Sequence, residues 1–130
     1  MPLAFTHALA EALAVCGLYR LAERLCRFAM SRLSTPAGRA GILTLLASIH
    51  ERNDDFRAAI ECYRAACDLV TDGSVEFQLA LAYERQGATV EAVHYFEETL
   101  SKGIGFSENF QSDVRSRLDS LRNTGNRSSP

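Results

Sequence analysis

The sequence predicts an all-α fold: a stack of three helix-turn-helix hairpins closed by a C-terminal helix. Three observations carry that prediction. From Val75 to Leu100 (VEFQLALAYERQGATVEAVHYFEETL), apolar and small residues recur three and four apart, stop at Gly87, and resume. That is the pattern of two amphipathic helices around a tight turn. Ala47, Glu51, Arg52, Ala59 and Tyr63 return 33 positions later as Ala80, Glu84, Arg85, Ala92 and Phe96. Self-similarity at such a period marks a stacked array of helical units. Finally, Phe110, Val114, Leu118 and Leu121 form one apolar stripe, as a helix covering the end of such a stack would.

Taken in order, Pro2 to Val15 reads as the first helix, ended by Gly17. Leu18 to Leu33 reads as the second, with Leu21, Ala22, Leu25, Cys26, Phe28 and Ala29 on its apolar side. Thr35 can cap a third helix and Pro36 suits its first position, where a missing N–H costs nothing. That helix is expected from about Ala37 to Arg52, with Asn53-Asp54 making the turn. The fourth is expected from about Asp55 to Val70, with Phe56, Ala59, Ile60, Tyr63 and Ala66 on one side. Thr71 to Ser74 leads into the third hairpin, and Lys102 to Gly105 closes it. Ser107 can cap the last helix, expected to end near Arg122. The polar tail 123–130 (NTGNRSSP) is expected to be disordered.

Composition narrows the function classes. At 130 residues the chain suits one domain with a modest core, and 47% hydrophobic against 23% charged residues argues against global disorder. A net charge of −2 gives no overall electrostatic case for nucleic acid. No apolar run approaches the roughly 20 residues needed to span a bilayer. The N-terminal stretch carries Glu11 and lacks a basic flank, so it reads as a helix and not a signal peptide. Cys16, Cys26, Cys62 and Cys67 form no CxxC pair and have no histidine at ligand spacing. They read as small buried hydrophobes in a reducing, cytoplasmic setting. No phosphate loop, GxSxG, HExxH or EF-hand motif is present. The expectation is no enzyme activity, no catalytic or metal site, and no cofactor. Charge is uneven, at +3 over 1–40, −6 over 41–106 and +1 over 107–130. Arg20, Arg24 and Arg27 line one strip of the second helix: a solvated face or a docking strip for an acidic partner.

Leu79 and Ala80, Tyr83, Gly87, Ala92 and Phe96 follow the order of residue types of the tetratricopeptide repeat (TPR), and the chain resembles that family. They stand at its large-small pair, its helix-A aromatic, its turn glycine, and the small and aromatic positions of helix B. The usual tryptophan position is Glu76, the late small position Thr99 and the terminal proline position Ile104. In the second unit Leu46, Ala47, Phe56, Ala59, Tyr63 and Ala66 match, with His50 at the aromatic and Asp54 at the turn glycine. In the first, Gly17, Ala22 and Ala29 match, with Cys26 and Leu13 replacing aromatics. The resemblance implies a right-handed superhelical stack forming one domain over 1–122, with repeats at about 3–36, 40–72 and 73–106 and a capping helix at 107–122.

In this family the A helices line a concave groove that holds a partner segment. The implied partner-binding residues are Leu45, Ser48 and Arg52 in the second unit and Phe77, Gln78, Leu81 and Arg85 in the third. His7, Glu11 and Thr44 face the same way. Burial of Leu45, Phe77 and Leu81 by the first hairpin or the capping helix is the competing expectation. TPR domains that clamp chaperone C-terminal carboxylates need Lys, Asn and Arg where this chain has His7, Glu11, Leu45, Ser74 and Gln78, so no such tail is expected. The expected function is an adaptor binding a peptide or helix segment of another protein, without nucleic acid or membrane. The alternative is a small dedicated chaperone sequestering an aggregation-prone client, since the chain is similar in size and plan to those of bacterial type III secretion. Homodimerisation through the first repeat or the end faces is a further expectation.

Overall fold

The structure, a computed structural model, describes residues 3–103 and 105–127. These form seven helices with no strand among the described residues, in two compact units, Met1–Val70 and Thr71–Pro130. The division falls between the second and third expected repeats.

The first unit holds two hairpins. α1 (Leu3–Val15) pairs with α2 (Tyr19–Arg32), and α3 (Pro36–Arg52) pairs with α4 (Phe56–Leu69). α2 and α1 both pack on α3, which joins the hairpins. The core is Ala10 and Ala14 of α1, Ala22, Cys26 and Ala29 of α2, and Ile42, Leu45, Leu46 and Ile49 of α3. Small residues on two helices let the backbones approach, and large ones on the third fill the space. The link between the hairpins is fixed by polar contacts. Thr35 caps α3, its hydroxyl oxygen accepting from the Gly38 amide at 3.2 Å. The Arg39 guanidinium donates to the Met30 and Leu33 carbonyls at 3.2 and 3.3 Å, satisfying the end of α2. These contacts lie in the junction between the two hairpins.

The second unit is α5 (Ser74–Arg85), α6 (Thr89–Lys102) and α7 (Glu108–Arg127). α6 packs on both α5 and α7. Phe96, Leu79 and Ala92 are fully buried, and removing a side chain like Phe96 from water stabilises by roughly 1.5–3 kcal/mol. α7 adds Val114 and Leu118 to the buried set. Ser107 caps it, accepting from the Phe110 amide at 3.2 Å. The helix continues to Arg127, past the expected end near Arg122, so residues 123–127 are helical and not a coil tail. Thr124 supports that extension by donating its hydroxyl to the Ser120 carbonyl at 2.9 Å. Ile104 and residues 128–130 lie outside the described residues.

The three turns share one hydrogen-bond pattern. Gly17 and Leu18 donate to Ala14 and Leu13, Asp54 and Asp55 to Glu51 and His50, and Gly87 and Ala88 to Glu84 and Tyr83, at 2.8–3.0 Å. Each is a Schellman-type end, which needs a left-handed residue after the helix. Gly17 and Gly87 have φ of 80° and 75°, and Asp54 takes φ 58° in their place. Ala22, Ala59 and Ala92 follow these turns at equal distance and are all fully buried. The turn and the small residue behind it are thus the invariant parts of the three hairpins.

Candidate partner-binding surfaces

The expected contacts on α3 share one side of the helix at spacing i, i+3, i+7, but they meet different fates. Leu45 is 3% exposed and belongs to the core with Ile42, Leu46 and Ile49, which corrects its assignment as a contact residue. α3 is packed by α1, α2 and α4, so it is apolar around much of its circumference, and periodicity alone cannot separate core from surface there. Ser48 is half-buried and donates its hydroxyl to the Leu45 carbonyl at 2.7 Å, leaving its lone pairs available as acceptors. Arg52 is exposed at the end of α3, where its charge suits the helix dipole. Thr44, half-buried, donates to the Gly41 carbonyl at 2.9 Å. In α1, His7 and Glu11 stand 3.8 Å apart, an ion pair only when the imidazole is protonated.

On α5, Gln78, Leu81 and Arg85 repeat the spacing of Leu45, Ser48 and Arg52. Here the first position is polar and exposed, Leu81 is half-buried, and Arg85 is exposed. Phe77 is half-buried in an aromatic cluster. Its ring centroid lies 4.8 Å from Phe110 of α7 and 6.0 Å from Phe96 of α6, and Phe106 lies 4.7 Å from Phe110. Edge-to-face contacts at these distances are the favourable arrangement for aromatic pairs. Phe77 is therefore committed mainly to holding α7. Two ion pairs join that helix to the hairpin, Arg117 with Glu84 at 3.0 Å and Arg122 with Glu97.

One carboxylate is buried. Glu76, in the first turn of α5, is 2% exposed. Its Oε1 lies 3.4 Å from the Lys102 ammonium, while Oε2 has no hydrogen-bond partner among the described residues. The positive end of α5 favours a carboxylate at this point. Desolvation lowers the Lys102 pKa, but Glu76 and Glu98 outweigh it and hold the group above its usual value. Neither the aromatic cluster nor the buried Glu76 was anticipated as a unit. The signals were present: Phe106 and Phe110 four apart after a turn, and an acid at the family's tryptophan position.

The four cysteines differ. Only Cys26 is buried; Cys62 and Cys67 are half-buried and Cys16 is exposed beside its turn glycine, which corrects the expectation of four buried thiols. Burial first, and then the neighbouring Cys62, push the Cys26 thiol up to about 11; burial likewise pushes Cys62 up to about 11. Among the described residues no group of three or more His, Cys, Asp or Glu is placed to hold a metal. No helix among them is long and apolar enough to cross a membrane.

Residues 40–69, which span α3 and α4, match the tetratricopeptide repeat family. Solved structures extend the likeness to nearly the whole chain. The Yersinia enterocolitica type III secretion translocator chaperone SycD is similar with a TM-score of 0.72 and 14% identity, over 95% of this chain and 86% of that one. This is a small TPR-like helical-repeat protein. SycD in complex with a peptide of the translocator YopD gives a TM-score of 0.70 at 17% identity, covering 95% of this chain and 94% of that one. PcrH in complex with the chaperone binding region of PopD gives 0.70 at 12%, covering 95% and 92%. No match is found among the curated proteins. At these identities the TPR-like protein shares a fold with the chaperones, an all-α helical-repeat stack.

Proposed function

We propose that this TPR-like protein is a protein-binding module that holds a peptide or helix segment of a partner on its A helices. The observation that carries this is the likeness to SycD and PcrH over 95% of the chain, in structures that hold a peptide of the translocator YopD and the chaperone binding region of PopD. The proposed contacts are Ser48 and Arg52 on α3, and Gln78, Leu81 and Arg85 on α5. Each helix is taken by itself: α3 offers half-buried Ser48 and exposed Arg52, and α5 offers exposed Gln78 and Arg85 beside half-buried Leu81, residue types suited to an amphipathic segment. The partner is a protein, not nucleic acid or a membrane, the chain acts in the cytoplasm, and it has no catalytic activity.

The same likeness favours a second reading, a dedicated chaperone that sequesters an aggregation-prone client. A chaperone keeps its isolated client soluble and then surrenders it, whereas an adaptor binds a partner already folded. Affinity capture from the native host, with wild type and a Gln78→Glu, Leu81→Glu variant in parallel, tests the shared part. A partner enriched by wild type and lost with the folded variant supports it; a partner retained equally by both sinks it. Co-expression with the captured partner then separates the readings by whether the partner precipitates when made alone. Self-association belongs to the same proposal. Phe5, Leu9 and Val15 of α1 are exposed, at 55%, 37% and 68%, which is an apolar surface that a second copy would cover.

A further inference from the structure

The sequence of α2, YRLAERLCRFAMSR, gives its two sides opposite characters. Ala22, Cys26 and Ala29 are buried against the first unit. On the far side stand Arg20, Arg24 and Arg27 at spacing i, i+4, i+7, all exposed. Arg27 pairs with Glu23, the one acid in the helix, while Arg20 and Arg24 have no hydrogen-bond or ion-pair partner among the described residues. Exposed arginines alone are ordinary. The unusual part is what lies beside them. Leu21 and Phe28, two turns apart on the adjoining stripe, are 49% and 52% exposed. The Arg32 guanidinium sits over the Phe28 ring at 4.9 Å. At the start of the helix, Gly17, Leu18, Tyr19, Arg20, Leu21 and Asn53 line a shallow depression, wide enough to seat an apolar side chain.

Charge decides what could cover this face. α2 carries four arginines against one glutamate. A second copy docked on it through a two-fold axis would set Arg24 against Arg24, or Arg20 against Arg27, and like charges across an interface are strongly disfavoured. Of the four, Arg27 is engaged by Glu23 and Arg32 lies over the Phe28 ring, which leaves Arg20 and Arg24; two are too few for a phosphate backbone, where roughly 6–10 contacts are typical, or for an anionic bilayer, which takes clusters of roughly 4–8 basic residues. Guanidinium forks suit carboxylates, and helix-spaced arginines beside a helix-spaced apolar stripe suit a helix of the opposite pattern.

We infer that the outer face of α2 docks an acidic amphipathic helix of a partner protein, Arg20 and Arg24 binding its carboxylates while Leu21 and Phe28 take its apolar stripe. This is a second docking surface, independent of the contacts proposed on α3 and α5. The probe is a fluorescein-labelled synthetic helix with glutamates at i, i+4 and i+7 and leucines on the adjoining stripe, titrated by fluorescence anisotropy against the full chain. Binding should weaken as salt rises. It should fall roughly tenfold or more in Arg20→Glu, Arg24→Glu and when the peptide's glutamates become glutamines, fall also in Phe28→Ser, and stay unchanged in Arg57→Glu, the same charge reversal at an exposed position of α4. If charge reversal disturbs α2 by circular dichroism, Arg20→Gln, Arg24→Gln replaces it with the same expectation. No binding beyond the glutamine peptide, or equal binding by the charge variants, overturns the inference. So does displacement of the peptide by phosphatidylserine vesicles or single-stranded DNA at lower concentration than by unlabelled peptide, since the face would then be a general anion surface.

Discussion

Replacing Gly87 by alanine tests the hairpin turns with a change of one methyl group. A Cβ built at Gly87 meets nothing within 4 Å, so no clash enters the result. What remains is the backbone. At φ 75° an L-residue carries a left-handed penalty of about 1–2 kcal/mol. Against this, alanine restricts the unfolded chain and so stabilises by about 0.4–1 kcal/mol. The penalty wins, and Gly87→Ala should destabilise by about 1 kcal/mol. Gly41 is the control. It too has open space around a built Cβ, but it lies within α3 at a helical φ. There the same substitution removes a helix-propensity cost and should stabilise by roughly 0.5–1 kcal/mol. Urea unfolding followed by far-ultraviolet circular dichroism reads both. A Gly87→Ala protein as stable as wild type, or both variants shifting in the same direction, would refute the assignment of Gly87 to a left-handed helix end.

Other expectations concern thiols and α7. Cys16 should react with a thiol reagent at neutral pH well before Cys26, because the first is exposed and the second is buried and held protonated; equal rates would contradict the packing of α2. An unfolded thiol ionises near 9.0, but Cys26 holds its proton to about 11. Stability should therefore be unaffected below pH 9 and decline between 9 and 11, by on the order of 2–3 kcal/mol for this group, measured by urea midpoints across that range and compared with Cys26→Ala. Phe110→Ala should destabilise the second unit by about 2 kcal/mol, less than a fully buried phenylalanine would, since Phe110 is half-buried. Arg117→Ala and Arg122→Ala remove only exposed pairs and should each cost less than about 1 kcal/mol, with a smaller effect in high salt.

The hairpin register was legible because it rests on residue types with few substitutes. A left-handed turn admits glycine or, at a cost, aspartate, and a close helix crossing admits alanine, so Gly17, Asp54 and Gly87 with Ala22, Ala59 and Ala92 locate the three units unaided. The caps at Thr35 and Ser107 were legible for the same reason. The neighbours of each helix were not. Periodicity says that Leu45 and Phe77 lie on a given face, but not that α3 is enclosed by three helices or that Phe110 lands on Phe77. The Arg39 clamp on the end of α2 is a long side chain reaching back past a loop, which no periodic pattern encodes. Nor does the pattern show that Leu21 and Phe28 are left partly outside the core of a helix whose buried stripe is made of alanine and cysteine.

Binding of a partner segment on the A helices can be read by hydrogen–deuterium exchange on the chain alone and with its captured partner. Exchange should slow in α3 around Ser48 and Arg52 and in α5 around Gln78, Leu81 and Arg85, and the protection should be lost in the Gln78→Glu, Leu81→Glu variant. Protection confined to the B helices α4 and α6, with α3 and α5 unchanged, would contradict it.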